Sequence, residues 1–506
     1  MIYGALIGLL CLAGIVGVVY LKDNDKSNTR SGPGAARDSE ASVEYVFGSY
    51  YDVKVSSYLI LKPKIASGGG LALAGGNRVL LTTGDGDSYL LFIDEADIRL
   101  KPLDIKPPLD VKTHRKLNPK AKNRWYRVTD VILDKGDGDE GLLYAATTHW
   151  DRARKCYTLR LSEAKIDFEN PSSADWTVRY ETDPCLKTRL PNETGGRLAF
   201  ADDGSILMTT GNFRDPSNVD AEAPDYEYGK VIQVDRDDWT TRVFTKGHRN
   251  PQGLLVDSGE IFETEHGPQG GDELNLLTYG TDYGWPKESY GTDYGRKTFA
   301  NNPATGDHSK TKRPVYAWIP SIGVSNLIRL RGEEFPAWKG DLMVGSKTGA
   351  GNGKSLYRVR MREGRAVVVE RLELGERIED LVELPDGRLV LWNGRNTIQV
   401  VEAGNQIFSA CIGCHAVRKE VHGVGPDLVG VVGGKVARHK NYDYSEAMAK
   451  FGGTWTPERL DKFLTDPQAT VPGTTMDFDG IAEPETRRKI VEYLEEMTQH
   501  WKDTKR

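Results

Sequence analysis

Arg197-Leu-Ala-Phe-Ala-Asp-Asp-Gly-Ser-Ile-Leu-Met-Thr-Thr-Gly211 reads as a short apolar strand, an acidic-Gly turn, a second strand and a closing glycine. The same phrase recurs as Gly69-Gly-Leu-Ala-Leu-Ala-Gly-Gly-Asn-Arg-Val-Leu-Leu-Thr-Thr-Gly84 and as Val128-Thr-Asp-Val-Ile-Leu followed by Gly141-Leu-Leu-Tyr-Ala-Ala. Gly253-Leu-Leu-Val-Asp-Ser-Gly-Glu-Ile-Phe-Glu-Thr-Glu265, Asn326-Leu-Ile-Arg-Leu with Asp341-Leu-Met-Val-Gly345, and Asp380-Leu-Val-Glu-Leu-Pro-Asp-Gly-Arg-Leu-Val-Leu-Trp392 complete the set. Hairpins repeated at spacings of about 55–70 residues are the mark of radial repetition, in which each phrase supplies a blade's inner strands. The repeat predicts a six-bladed β-propeller over 43–402; a β-sandwich of this length would not repeat.

Composition agrees. The chain has 506 residues, 38% of them hydrophobic, and 55 glycines without a triplet period, so disorder and collagen are excluded and a turn-rich, mainly β protein is favoured. The formal net charge is −6 with no long run of one sign, which excludes nucleic acid as a partner.

At the amino end, Met1 to Leu21 is an uncharged apolar stretch long enough to span a bilayer. It lacks a basic n-region, so an uncleaved transmembrane helix (1–21) is expected rather than a cleaved signal peptide. Cys11 follows Leu9-Leu10, not a small residue, which argues against lipid attachment. Residues 22–42 are polar and aperiodic, as a flexible stalk would be.

At the carboxyl end (403–506), Cys411-Ile-Gly-Cys414-His415 has the spacing that lets two thiols add to the vinyl groups of one haem while the adjacent imidazole reaches the iron. A zinc site would need a second ligand pair, and no other cysteine is near. Haem is attached outside the cytoplasm, so everything after Leu21 is expected on the periplasmic face. A sixth iron ligand is expected in the loop Pro472-Gly-Thr-Thr-Met476, between helical stretches at 458–466 and 484–499. Met476 lies on no periodic face, whereas Met448 and Met497 read as core filler; His422 and His439 are the other possible ligands. Cys156 and Cys185 are the only other cysteines besides Cys11, and an oxidising compartment favours their pairing.

The segment from about 404 to 500 resembles a class I, mitochondrial-type cytochrome c. The matching pieces are the Cys-Ile-Gly-Cys-His motif, Gly425-Pro426-Asp-Leu428, Tyr442-Asp-Tyr444-Ser-Glu-Ala447, Trp455, Phe463-Leu464-Thr-Asp-Pro467 and Pro-Gly-Thr-Thr-Met. The resemblance implies that the Pro426 carbonyl accepts from His415 Nδ1–H and that Tyr444 and Trp455 hydrogen-bond a haem propionate. It also implies an all-α domain that carries electrons to or from a redox partner.

Two phrases exceed the needs of a bare propeller: Gly247-His-Arg249-Asn250-Pro-Gln-Gly253, and Thr264-Glu-His-Gly267-Pro268-Gln-Gly-Gly-Asp272-Glu273-Leu-Asn275 with Asp282-Tyr-Gly-Trp285-Pro. Backbone carbonyls of a Gly-Pro turn can ligate a hard cation, and an arginine fork suits a carboxylate or quinone oxygen. Together they resemble the soluble glucose/sorbosone dehydrogenase family, six-bladed propellers that bind pyrroloquinoline quinone and Ca²⁺ and oxidise aldoses. The resemblance implies that Arg249 and Asn250 contact the quinone and that the carbonyls of Gly267 and Pro268 hold Ca²⁺. It further implies that Lys347 and Arg377 hold quinone carboxylates and that Trp318 walls the site.

Four positions depart from the family. Glu193, in Asn192-Glu-Thr-Gly-Gly-Arg197-Leu, stands where the family has its general-base histidine; Asn212 replaces the aspartate that orients it. Glu379 replaces the second of two paired arginines, and the glutamine expected before the first blade falls in the Gly68–Gly70 run. A carboxylate can take the base's role if burial raises its pKa. A glutamate beside an anionic quinone, in contrast, is expected to repel it. Two functions follow. One is a membrane-tethered dehydrogenase that passes electrons from a sugar-type alcohol or aldehyde to its own haem. The other is an electron-transfer protein whose propeller docks the cytochrome on a terminal oxidase, a bc-type complex or a soluble cytochrome.

Overall fold

The computed structural model describes residues 42–47, 51–60, 67–95, 97–118, 125–136, 140–168, 174–188, 191–219, 226–292, 304–305, 308–348, 352–404, 408–412, 414–416 and 422–503. The expected membrane anchor (1–21) and nearly all of the expected stalk lie outside them. Among the described residues, no helix is long and apolar enough to cross a membrane.

Six antiparallel sheets form the blades of a propeller. Blade I runs through Gly69–Leu73, Arg78–Thr83, Ser88–Ile93 and Ile98–Leu103; blade II through Val128–Lys135, Glu140–Asp151, Cys156–Asp167 and Thr177–Glu181. Blade III uses Gly195–Phe200, Ile206–Thr210, Lys230–Val234 and Thr241–Lys246; blade IV uses Pro251–Asp257, Glu260–Glu265, Asp272–Leu276 and Tyr316–Trp318. Blade V is Val324–Arg329, Leu342–Ser346, Ser355–Arg362 and Arg365–Glu373. Each inner strand touches the inner strands of the two neighbouring blades, and the last touches the first, so the ring is closed. Each of the six phrases read in the sequence contributes to the inner hairpin of one blade. Their turns need left-handed backbone: Gly204 in Asp-Asp-Gly-Ser has φ +84° and Gly387 in Asp-Gly has φ +92°.

Blade VI closes the circle. Asp380–Glu383, Leu389–Trp392 and Thr397–Ala403 come from the carboxyl end of the propeller, and Asp52–Leu59 and Ser42–Phe47 come from its beginning. Val53 pairs with Ala403 and Leu59 with Thr397. Lys54 Nζ donates to Glu402 Oε2 at 3.3 Å across a separation of 348 residues. The first described strand begins at Ser42, the last residue of the expected stalk.

Packing between blades supplies the core. Leu71, Val79, Leu81, Leu91, Val390, Trp392 and Ile398 are buried together where blades I and VI meet. Cys156, which opens the third strand of blade II, is disulfide-bonded to Cys185, as expected of an oxidising compartment.

The carboxyl-terminal unit is helical. Pro457–Thr465 starts at a Thr456 cap that accepts from the Arg459 amide, and it packs Leu460, Phe463 and Leu464 inward. Pro484–Asp503 is the long helix, with Ile490, Val491 and Leu494 buried. Ser409–Ile412 carries the first haem cysteine, and Phe408 stacks near Tyr493 with ring centroids 5.1 Å apart.

Candidate functional site

The helical unit surrounds a cavity of about 330 Å³ lined by Cys411, Cys414, His415, Tyr444, Trp455 and Met476, among others. Amide hydrogen bonds from Cys414 and His415 to the Cys411 carbonyl, at 3.1 and 2.9 Å, wind the motif into one turn and put both thiols and the imidazole on one wall. His415 Nδ1–H donates to the Pro426 carbonyl at 2.8 Å, which fixes the tautomer and leaves Nε2 as the free ligand. A Cβ at Gly425 would lie 2.3 Å from the His415 ring, so only glycine admits the imidazole there. Burial pushes the Cys411 thiol up to about 11 and the His415 pKa below its ordinary value.

Met476 lines the same cavity on its loop, where its carbonyl accepts from Gln468 Nε2. These residues fit a covalently held haem c: Cys411 and Cys414 would carry it, His415 and Met476 would bind its iron, and that ligand set would raise the potential of the one-electron couple the haem would supply. Tyr444 and Trp455 also line the cavity. Tyr442, which opens the stretch that carries Tyr444, does so too, as does Arg438 just before it, which sequence reasoning did not select. Met448, read as core filler, is on the cavity wall. His422 and His439 instead flank Asp427: the Asp427 amide donates to His422 Nδ1 at 3.0 Å, and His439 Nε2 is 3.3 Å from its carboxylate.

The propeller's central group gathers side chains from four blades. Glu379, immediately before blade VI's inner strand, receives Lys347 Nζ at 2.9 Å, Arg377 Nη2 at 2.7 Å and Arg127 Nη1 at 3.5 Å. Its carboxyl is held far below the usual range by those cations, against the desolvation that acts the other way. Lys347 also donates to Gln252 Oε1 at 2.6 Å. Burial, together with Arg127, Arg197 and Arg377, pushes the Lys347 pKa down to about 7 despite Glu379. Glu379 is thus one carboxylate held among three basic side chains, Lys347, Arg377 and Arg127.

Below it, Arg197 bridges two carboxylates, with Nη1 3.2 Å from Asp130 and 3.5 Å from Asp380. Asp130 accepts the Leu198 amide and Asp380 the Leu71 amide, so the trio ties the inner strands of blades I, II, III and VI. Burial pushes Asp130 up to about 7, with Asp380 adding to the shift, and burial raises Asp380 as well.

Arg249 and Glu193 are brought together. Arg249 Nη2 donates to Glu193 Oε1 at 3.1 Å, and Nη1 donates to the carbonyls of His266 and Gly267 at 3.2 and 3.0 Å. The guanidinium lies 5.5 Å from the Trp285 ring. Glu193 adopts φ +58°, a left-handed conformation seldom taken by a non-glycine and found where surrounding structure imposes it. Asn250 Nδ2 is 3.2 Å from His266 Nδ1, and its side-chain oxygen accepts from Gln252. Asn212 Oδ1 accepts the Arg214 amide, and its own amide donates to the Arg249 carbonyl, so it positions Arg249 rather than Glu193.

Two expectations are revised. Trp318 does not wall this group; it pairs with Asp272 at the outer edge of blade IV and packs edge-on to Tyr316 and Tyr357 in the core. The strand's side-chain alternation sends it there. The Gly267 carbonyl is covered by Arg249, so in this arrangement the Gly267 and Pro268 pair is not presented to calcium.

Whether the centre suits an anionic quinone is answered by its unspent donors: Arg249 Nε and Arg377 Nε are buried without partners. With Lys347, Arg377 and Arg127 gathered around Glu379, the residues fit a carboxylate-bearing cofactor. Arg127 and Gln252 belong to this group although sequence reasoning did not select them; the available signal was position, since each stands at the start of an inner strand.

A six-bladed propeller with a cationic centre, continuous with a haem c domain, defines an electron-transfer oxidoreductase. The glucose/sorbosone dehydrogenase family model matches residues 127–401 and the cytochrome c family model residues 401–498. The chain belongs to the glucose/sorbosone dehydrogenase family, here fused to a class I cytochrome c domain. It is 30% identical over 233 residues to the aldose sugar dehydrogenase YliI of Escherichia coli K12, across 42% of this chain and 60% of that protein. Over 97 residues it is 42% identical to cytochrome c2 of Rhodopila globiformis, across 19% of this chain and 92% of the relative. A crystal structure of a glucose dehydrogenase superposes with TM-score 0.57 at 24% identity, covering 69% of this chain and 99% of that one, which shows the fold.

Proposed function

We propose that the propeller oxidises a small sugar-like alcohol or aldehyde with a bound pyrroloquinoline quinone, and that the chain's own haem c takes the electrons one at a time. The observation that carries this reading is the convergence of Arg127, Lys347 and Arg377 on the single carboxylate of Glu379. When bound, the quinone supplies the two-electron acceptor. Lys347 and Arg377 would hold its carboxylates, and Arg249 and Asn250 would face its carbonyl oxygens. Glu193 would take the proton of the substrate hydroxyl, with Arg249 orienting its carboxylate. Calcium at the Gly267 and Pro268 carbonyls belongs to the same proposal and requires the Arg249 guanidinium to leave Gly267.

Two features support a periplasmic location on a single-pass anchor: the Cys156–Cys185 bond and the haem motif, both products of oxidising or extracytoplasmic compartments. The haem would then deliver electrons to an oxidase, a bc-type complex or a soluble cytochrome.

The test is purified full-length protein reconstituted with Ca²⁺ and the quinone, with aldoses added while the haem spectrum is followed. Reduction is expected, and Glu193→Gln should slow it by ~10²–10⁴-fold while leaving reduction by dithionite unchanged. A second reading rests on the Arg249 to Glu193 and Gly267 contacts, which close the site on itself. In that reading the propeller is a docking module. It stands if no sugar reduces the wild type while the haem still exchanges electrons with an oxidase.

A further inference from the structure

Where blade IV faces blade III, three glutamates are buried within reach of one another. Glu263 and Glu265 lie two apart on one strand, opposite Asn275 and Glu273 on the next. Relative exposure is 0% for Glu263, 4% for Glu265 and 0% for Asn275 and His248. Among the described residues no lysine or arginine side chain makes an ion pair with Glu263 or Glu265. The Arg249 guanidinium turns to Glu193, and only its backbone amide reaches Glu265, at 2.6 Å. Glu273 has its own counter-charge in His308, 3.3 Å away.

Donors are too few for the acceptors. The Asn275 amide nitrogen has two hydrogens but faces Glu263, Glu265 and Glu273 at 3.0, 3.3 and 3.4 Å. Glu263 Oε1 and Asn275 Oδ1 have no partner at all and no access to water. A buried carboxylate oxygen and a buried amide oxygen without donors are each costly. A cation held by the Glu263 carboxylate would remove the first of these costs. His248 Nδ1 is 3.2 Å from Glu265 Oε1 and 3.9 Å from Glu263 Oε2, and these three side chains each offer an atom within 4.8 Å of the others. Opposed oxygen ligands of one hard cation, at ~2.4 Å each, are separated by about that distance.

We propose that Glu263, Glu265 and His248 form a divalent-cation site between blades III and IV, with the oxygen-rich coordination that suits Mn²⁺ or Ca²⁺. It is distinct from the Gly267 and Pro268 carbonyls and independent of the quinone. The cation would lock the loop of Gly247 to Asn250 to blade IV, and so hold Arg249. Burial and the neighbouring Glu265 raise the Glu263 carboxyl well above its usual range.

The experiment uses full-length holoprotein stripped with a chelator and titrated with Mn²⁺, free ion being counted by its six-line paramagnetic resonance. The wild type is expected to take up one more equivalent than Glu263→Gln, which keeps the volume and removes the charge. Glu265→Gln should lose the same equivalent, and both variants should keep the reduced haem spectrum. Spin-echo spectra of wild-type protein at one equivalent must show nitrogen coupling from one imidazole, a readout that survives if a variant fails to fold. Equal uptake by wild type and folded variants overturns the proposal. So does bound Mn²⁺ without nitrogen coupling, or no uptake by the wild type at millimolar Mn²⁺.

Discussion

The haem cavity and the propeller centre hold their groups in opposite ways. In the first, Cys411, Cys414 and His415 share one helical turn, and a single carbonyl, that of Pro426, fixes the imidazole. In the second, Lys347 meets Gln252 across 95 residues, and Leu71 meets Asp380 across 309. A site built on one turn is assembled as soon as that turn forms, whereas a site built on a ring exists only when every blade is in place. Damage to the haem motif should therefore be chemical and local, and damage to the propeller's centre structural and shared.

The largest effect expected from that contrast is on the haem. Replacing Cys411 and Cys414 together by alanine should abolish haem that survives denaturing electrophoresis, while thermal unfolding of the propeller stays as in wild type. Met476→Ala should keep the covalent haem and remove the weak sulfur-to-iron band of the oxidised spectrum; a persistent band would show that another side chain is the ligand.

Next comes Arg197→Ala, which leaves Asp130 and Asp380 buried without their guanidinium. A loss of about 3–5 kcal/mol in chemical denaturation is expected, with the haem spectrum unaffected. A loss under 1 kcal/mol would mean that the ring does not depend on its centre. Reducing Cys156–Cys185 opens a loop with a sequence separation of 29 residues. In the chain-entropy model this lowers stability by about 3–4 kcal/mol. Comparing unfolding midpoints with and without reductant checks it.

The last expected effect is on pH dependence. Asp130 is pushed up to about 7 in the folded protein from an ordinary value of 3.8, so the folded state holds an extra proton between those limits. Its contribution to stability is complete below about pH 4 and is lost as pH rises to about 7. Asp130→Asn should flatten that slope in propeller stability; an unchanged slope would assign the titration to another group.

The difference between the two sites also explains what the sequence revealed. The haem ligands were legible because covalent attachment demands one spacing, and Met476 because it alone sat off a helical face. The inner hairpins were legible because an acidic-Gly turn between short apolar strands is local chemistry. Arg127 and Gln252 were not, since a side chain that meets its partners only through ring closure leaves no local pattern. Trp318 misled for another reason: the family resemblance put it in the site wall, whereas strand pairing places it on the outer strand of blade IV, packed against Tyr316 and Tyr357. The family's departures at Glu193 and Glu379 were visible as letters, but their meaning needed Arg249 and Lys347 beside them.

The closure of blade VI bears on the order of events during synthesis. Ser42–Phe47 and Asp52–Leu59 leave the ribosome first, yet their partner Thr397–Ala403 comes after almost all the rest of the propeller. Until then Asp52–Leu59 presents an unpaired strand edge, a template for mispairing with any other extended chain. Contacts of such long range are formed late and slowly. The propeller's last step thus awaits the very segment that leads into the haem domain, and a chain interrupted before residue 397 would be left as an open ring with a free edge rather than as a smaller closed propeller.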